Sequence, residues 1–156
     1  MGRAEKFIRI VLLSEGGSKY TNNPNDAGGE TKYGISKKAF PNVDIKNLTE
    51  VDAILLYKKM YYDACKCDLF NDELLALHVF DFGVNSGISR SIKTLQSVIG
   101  VKADGIIGKQ TIEKSNSGNY TEQYRIARIA FYNNIGVGKN KKFLKGWINR
   151  VNNLKI

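Results

Sequence analysis

Between Leu74 and Val84 the chain reads LLALHVFDFGV, apolar on almost every side of a helix. Leu74, Leu75, Leu77, Val79, Phe80, Phe82 and Val84 leave no polar stripe wide enough to face water. Such a helix has to be covered from both sides, so the chain must fold around it. Asn71 is the expected N-cap, Asp72 and Glu73 suit the first turn, and Ser86-Gly87 breaks the helix. His78, Asp81 and Asn85 fall on one stripe of this apolar rod. Buried polar groups need partners. His78 reads as a satisfied or partly exposed histidine. Asp81 and Asn85 read either as a structural hydrogen-bond network or as the floor of a cleft.

The segments around this rod are mostly helical. Residues 3–14 form an amphipathic helix with Phe7, Ile8, Val11 and Leu12 at helical spacing. Thr49 with Asp52 forms a capping box that opens a helix running to about Asp63. Tyr57, Tyr61 and Tyr62 cluster near its end. Further helices are expected over 90–99, 109–115 and 121–134, the last with Tyr124, Ala127, Ile129 and Phe131 at its apolar positions. The tail 139–156 is amphipathic, with Phe143, Leu144, Trp147, Val151 and Leu154 on one side and Trp147 expected in the core. Between the first two helices lies dense turn chemistry, Asn22, Asn23, Pro24, Asn25, Asp26, Gly28 and Gly29. Lys19–Thr21 and Glu30–Tyr33 are expected to pair as a short hairpin around it. Gly34-Ile35-Ser36 should lead into a helical turn ended by Pro41.

Composition narrows the function classes. A length of 156 residues with 42% hydrophobic content supports one domain with a real core. A net charge of +9 favours polyanionic surroundings: nucleic acid, an anionic membrane or an acidic cell wall. The basic residues show no nucleic-acid motif or aromatic interleaving, so no nucleic-acid partner is expected. No apolar run reaches membrane-spanning length, and Phe7–Leu13, interrupted by Arg9, does not read as a secretion signal. The expectation is a chain made in the cytoplasm that reaches any outside target by another system. Cys65 and Cys67 are too close for a metal knuckle and lack partners elsewhere, so they read as reduced thiols. No metal or cofactor is implied.

The chemistry concentrates in SEGGSKYTNNPNDAGGETKYGIS, 14–36. Glu15 lies four residues after Val11 and seven after Ile8, on the apolar side of the first helix, where Gly16-Gly17 stops it. A carboxyl group at an apolar rim is costly to ionise, the property a general acid near neutral pH requires. The plainer reading is an exposed glutamate at a frayed helix end. Asp26 is either a turn residue or a second carboxylate opposite Glu15, the pairing that cleavage of a glycosidic bond uses. Thr31 offers a hydroxyl that can position water. The tyrosines suit either core packing or stacking on sugar rings.

Two segments resemble a known family. Residues 15–36 are similar to the opening motif of glycoside hydrolase family 108, Glu-Gly-Gly-Tyr followed by Asn-x-Pro-x-Asp-x-Gly-Gly-x-Thr-x-Tyr-Gly-Ile. Residues 79–112, VFDFGVNSGISRSIKTLQSVIGVKADGIIGKQTI, resemble the peptidoglycan-binding region of the same proteins, with Phe-Asp-x-x-Val-Asn-x-Gly, Leu-Gln and Asp-Gly-x-x-Gly-x-x-Thr. The resemblance implies a mainly α (α+β), lysozyme-like fold of about seven or eight helices with a small β-hairpin near residues 18–33. It implies one domain over 1–156, with 1–78 the catalytic segment and 79–156 the peptidoglycan-binding segment completing the same fold. It makes Glu15 the catalytic acid. By a further likeness to phage-type lysozymes, Asp26 and Thr31 are the carboxylate and the water-positioning hydroxyl. Tyr33, Tyr62, Asp81 and Asn85 are the expected substrate contacts. Ser18 stands where the motif has tyrosine, with Tyr20 as a nearby substitute, and Tyr62 stands where tryptophan is common.

The function expected is a monomeric N-acetylmuramoylhydrolase cutting the β-1,4 bond between N-acetylmuramic acid and N-acetylglucosamine in peptidoglycan. A lytic transglycosylase on the same bond would leave 1,6-anhydro ends. A non-catalytic wall-binding module would release no sugar.

Overall fold

The computed structural model describes residues 1–25 and 27–156. Among them are seven α-helices and three short strands, the mainly helical, lysozyme-like architecture expected. The chain divides into two compact units, Met1–Met60 and Tyr61–Ile156.

In the first unit, α1 (Arg3–Ser14) buries Phe7, Ile8, Val11 and Leu12 and packs on α2 (Glu50–Tyr57). Its end is built by the glycine pair. Gly17 N–H donates to Leu12 O at 2.9 Å, the long bond of a Schellman motif, with Gly16 at φ +91° in the position after the cap. Glu15 is therefore the C-cap, its own N–H still bonded to Val11 O at 3.0 Å. The turn-rich region then gives a three-stranded antiparallel sheet, β1 (Thr21–Asn22), β2 (Glu30–Lys32) and β3 (Ile35–Ser36). The expected hairpin is present, and β3 is an addition to it. Gly34-Ile35-Ser36 continues the sheet, and helical geometry is confined to one turn in which Phe40 N–H reaches Ser36 O at 3.0 Å.

The Thr49–Asp52 capping box is present, with Asp52 N–H donating to Thr49 Oγ1 at 3.1 Å and Thr49 N–H to Asp52 Oδ2 at 3.3 Å. The helix expected to continue to Asp63 changes at Lys58 into a π turn, Lys58–Tyr62. Tyr57 and Tyr62, five residues apart, are both buried. An α-helix would put them on different faces, and a wider π turn brings them closer to one side.

In the second unit, 3-10 turns at Cys67–Leu69 and Gly138–Phe143 accompany five helices, α3 (Glu73–Ser86), α4 (Ile88–Ile99), α5 (Lys109–Asn116), α6 (Thr121–Ile135) and α7 (Leu144–Asn153). The apolar rod is α3, packed on α4 and α6, and every residue from Leu75 to Gly83 is buried. Its cap is Asp72, one residue later than expected. Asp72 Oδ1 accepts from Leu74 and Leu75 N–H at 2.9 and 3.1 Å, while Asn71 is engaged through its own N–H by Asn116 Oδ1 at 2.8 Å. Phe82 meets Tyr124, Phe131 and Tyr132 edge-on at ring centroid distances of 6.3, 5.4 and 5.7 Å. On α6 the buried residues are Tyr124, Arg128 and Tyr132, a stripe shifted from the apolar one expected. Cys65 and Cys67 are free, buried thiols.

The Leu-Gln and Asp-Gly-x-x-Gly-x-x-Thr motifs form one clasp. Buried Gln96 donates to Asp104 Oδ1 and Ile106 O, both at 2.9 Å, and to Thr111 Oγ1 at 3.1 Å, while its Oε1 accepts from Gly105 N–H at 2.9 Å. These residue types are needed to fix the α4–α5 loop without a long secondary element.

Candidate active site

Glu15 and Tyr33-Gly34 are brought together in the first unit by one tight turn, which follows the strand that carries Thr31. Tyr33 and Gly34 connect β2 to β3, both at positive φ, +54° and +74°, as a type I′ hairpin requires. A tyrosine in this conformation costs energy and needs support. Its main chain is held on both sides: Tyr33 N–H donates to Gly17 O at 3.1 Å, and Tyr57 Oη donates to Tyr33 O at 2.8 Å. The glycine pair after Glu15 and the turn after Thr31 are thus joined directly.

Gly34 packs against the acid itself. A methyl group placed on it would lie 2.6 Å from Tyr57 Oη and 2.7 Å from Glu15 Cβ. Only a residue without a side chain permits this approach. Gly34→Ala is expected to displace Glu15 and lower kcat/KM on peptidoglycan by about 100-fold, since a shift of about 1 Å costs that much. Turnover assays with matched circular dichroism would check it.

Glu15 is half-buried at the end of α1. Thr31 occupies the middle of the sheet, opposite Thr21 on one side and Ser36 on the other, so three hydroxyl side chains form a row. Thr31 Oγ1 reaches Gly29 O only at 3.5 Å, the long limit of a hydrogen bond, which leaves it suited to holding water. Asp26, the expected second carboxylate, lies outside the described residues. Tyr33 also lines a depression of about 360 Å³ with Arg9, Leu12, Leu13, Ser18 and Glu50. Glu15 is not among its lining residues. Arg9 there is ion-paired with Glu5 at 2.8 Å and with Glu50.

Tyr62, Asp81 and Asn85 belong to the second unit. Tyr62 has no exposed surface; its hydroxyl is bonded to Asp68 and its ring meets Phe80 edge-on at 5.9 Å. The sugar stacking expected of it does not fit a side chain packed this way. Asp81 is likewise fully buried. Arg128 Nη2 donates to its Oδ2 at 2.9 Å, and Arg150 Nη2 donates to its Oδ1 at 2.8 Å. Of the two alternatives read for Asp81, this geometry is the structural network. Burial pushes the carboxyl up, but the two guanidinium groups outweigh it and hold Asp81 below its usual range. Asn85 is half-buried, and its Oδ1 accepts from Tyr132 Oη and, at 2.8 Å, from Ser86 Oγ.

His78 is buried beside the same network, with Arg128 Nη1 3.1 Å from its Nδ1. Arginine can only donate, so Nδ1 accepts and the imidazole is neutral. Burial pushes His78 down to about 4; the Arg128 charge adds to this and Asp81 opposes it. A histidine with a depressed folded value binds its proton more readily when unfolded. Its contribution to stability is present above about 6.5 and lost as pH falls towards about 4, on the order of 3 kcal/mol in all. Urea midpoints measured between these limits should fall with pH, and His78→Gln should flatten that slope.

The partners Tyr57, Arg128 and Arg150 were not expected from the sequence. The signal for Arg128 is its place between Tyr124 and Tyr132 at four-residue spacing, which puts a cation on an otherwise aromatic stripe. Among the described residues no cluster of three or more His, Cys, Asp or Glu side chains is arranged to hold a metal ion.

Comparisons with known proteins agree with this architecture. The family model described as glycosyl hydrolase 108 matches residues 8–87, and that described as predicted peptidoglycan domain matches residues 90–152. Among solved structures, that of Brucella abortus SagA is similar, at 30% identity and a TM-score of 0.79 over 96% of this chain and 89% of that chain. No curated protein matches the chain.

Proposed function

Because the chain belongs to glycosyl hydrolase family 108 and carries a peptidoglycan domain, it is a glycosidase of peptidoglycan, and we propose that the bond it hydrolyses is the β-1,4 linkage from N-acetylmuramic acid to N-acetylglucosamine. The observation that carries the proposal is the fixing of Glu15. It caps α1, its side chain packs on Gly34, and the strand bearing Thr31 leads directly into that turn. A glycosidase needs one carboxyl group held at the scissile oxygen and a route for water to the anomeric carbon.

In this reading Glu15 gives its proton to the bridging oxygen as the C1–O bond breaks. Positive charge develops on C1 and the ring oxygen. Asp26 stabilises that charge or takes a proton from the attacking water, and Thr31 holds the water. The hydroxyl of the water ends on C1, leaving a reducing muramic acid, and the leaving sugar keeps the proton from Glu15. The second proton of the water goes to Asp26 where it acts as base, or to the Glu15 carboxylate where Asp26 only stabilises the charge. Tyr33 supplies an aromatic face for a sugar ring. The net charge of +9 favours the anionic wall, outside the cytoplasmic membrane, as the place where the enzyme works. No helix among the described residues is long and apolar enough to cross a membrane.

Digesting purified sacculi, reducing the products with borohydride and analysing them by mass spectrometry tests the bond. Muramitol ends are expected. Reduced glucosamine ends would move the cut to the other linkage, and 1,6-anhydro ends would replace water by an internal hydroxyl as nucleophile.

A further inference from the structure

We infer that the side-chain amide of Asn85 is a substrate donor of fixed direction, serving an amide carbonyl oxygen of peptidoglycan, and that Arg128 and Tyr132 are the positioning residues that fix it. The inference rests on the glycosidase reading above and extends it to the second unit's own contact with substrate.

The direction follows from counting protons. Arg128 has donors only. Its Nη2 donates to Asp81 Oδ2 at 2.9 Å and to Tyr132 Oη at 3.2 Å. Tyr132 therefore accepts from Arg128, and its single proton has to go to the remaining partner, Asn85. The atom of Asn85 on that side must be the carbonyl oxygen, which also accepts from Ser86 Oγ at 2.8 Å. The NH2 group is consequently turned away from the network. It has no hydrogen-bond partner among the described residues. Among the described residues Arg128 Nε is the buried side-chain atom without a partner, whereas Asn85 is half-buried and its nitrogen is not among such atoms.

The relay is stiff. Asp81 is held by both arginines, and the Arg128 guanidinium lies 4.8 Å over the Phe82 ring. The Tyr132 ring is stacked on Trp147 at 5.5 Å and flanked by Phe82 at 5.7 Å and Phe131 at 5.6 Å. Its hydroxyl cannot swing away from Asn85 without repacking that cluster. A donor fixed in this way loses little freedom on binding and matches a neutral oxygen acceptor. Peptidoglycan presents amide carbonyls both in its acetamido groups and in its stem peptides. A carboxylate anchored under two arginines is otherwise an expensive way to fill a core.

The test uses the full-length enzyme on soluble glycan strands, with and without stem peptides. Asn85→Asp keeps the oxygen that Tyr132 and Ser86 bond to and replaces the outward donor by an acceptor. It should raise KM by about tenfold, the loss falling on KM more than on kcat. Tyr132→Phe, which frees the amide to turn, should raise KM by about threefold in the wild type and have no further effect on KM in Asn85→Asp. A KM effect kept on stripped strands assigns the carbonyl to the acetamido group; one lost there assigns it to the stem peptide. A folded Asn85→Asp enzyme with KM within about twofold of wild type on both substrates would overturn the inference. So would a Tyr132→Phe effect of equal size in both backgrounds. If Asn85→Asp does not fold, Asn85→Ala is read by the same criteria. Failure of the wild type to cut either substrate would count against the glycosidase reading itself.

Discussion

Glu15→Gln is expected to lower turnover on purified sacculi by about 1,000-fold or more while leaving the fold intact. An amide has nearly the shape of the carboxyl group but has no acidic proton to give, and a well-placed general acid contributes about 100- to 10,000-fold. The leaving oxygen of a sugar is a poor leaving group without protonation, so the upper part of that range applies. The helix end depends on the backbone of Gly16 and Gly17 and on main-chain bonds to Val11 and Leu12, none of which the substitution touches. A melting temperature close to wild type should therefore accompany the loss, and so should undiminished sedimentation with sacculi. Unfolding of the variant would make Glu15 a structural residue.

Asp81→Asn is expected to destabilise the protein by about 3–5 kcal/mol. Arg128 has no solvent exposure, and Asp81 is the carboxylate that its guanidinium contacts at 2.9 Å. The amide removes the negative charge and turns one acceptor into a donor facing a guanidinium. Arg150, the second cation on Asp81, is only slightly exposed and would lose this carboxylate too. Breaking one side of a buried pair costs more than the pair was worth, because the remaining charge stays desolvated. Urea denaturation at neutral pH would measure the loss. A change below about 1 kcal/mol would mean that water or rearrangement rescues Arg128.

What could be read in advance divides along a physical line. Local rules gave the stop at Gly16-Gly17, the Thr49–Asp52 box and the hairpin around the asparagine-rich turn, because each is decided by neighbours within a few residues. The all-round apolar pattern gave α3 and its burial. The errors arise where distant residues compete. Asp72 caps α3 with its Oδ1, while the Asn71 main chain is tied to Asn116, a residue 45 positions away that local rules do not connect. Tyr62 has the residue type of a sugar platform, but its partners Asp68 and Phe80 keep it inside. Asp81 shares a motif with Asn85, yet it is the fold that closes two arginines over it, from positions 47 and 69 residues downstream. Gly34 was legible as a motif residue. Its reason, close contact with Glu15 and Tyr57, comes from chain segments that periodicity does not connect.

The central claim is that Glu15 delivers a proton to the departing oxygen. Comparing wild type and Glu15→Gln on two substrates with the same glycone tests it directly, one a natural glycan and one an aryl glycoside whose dinitrophenolate departs without protonation. The account predicts a deficit of about 1,000-fold on the glycan that shrinks to within about tenfold on the aryl glycoside. An equal deficit on both would assign Glu15 to binding or folding and contradict the mechanism.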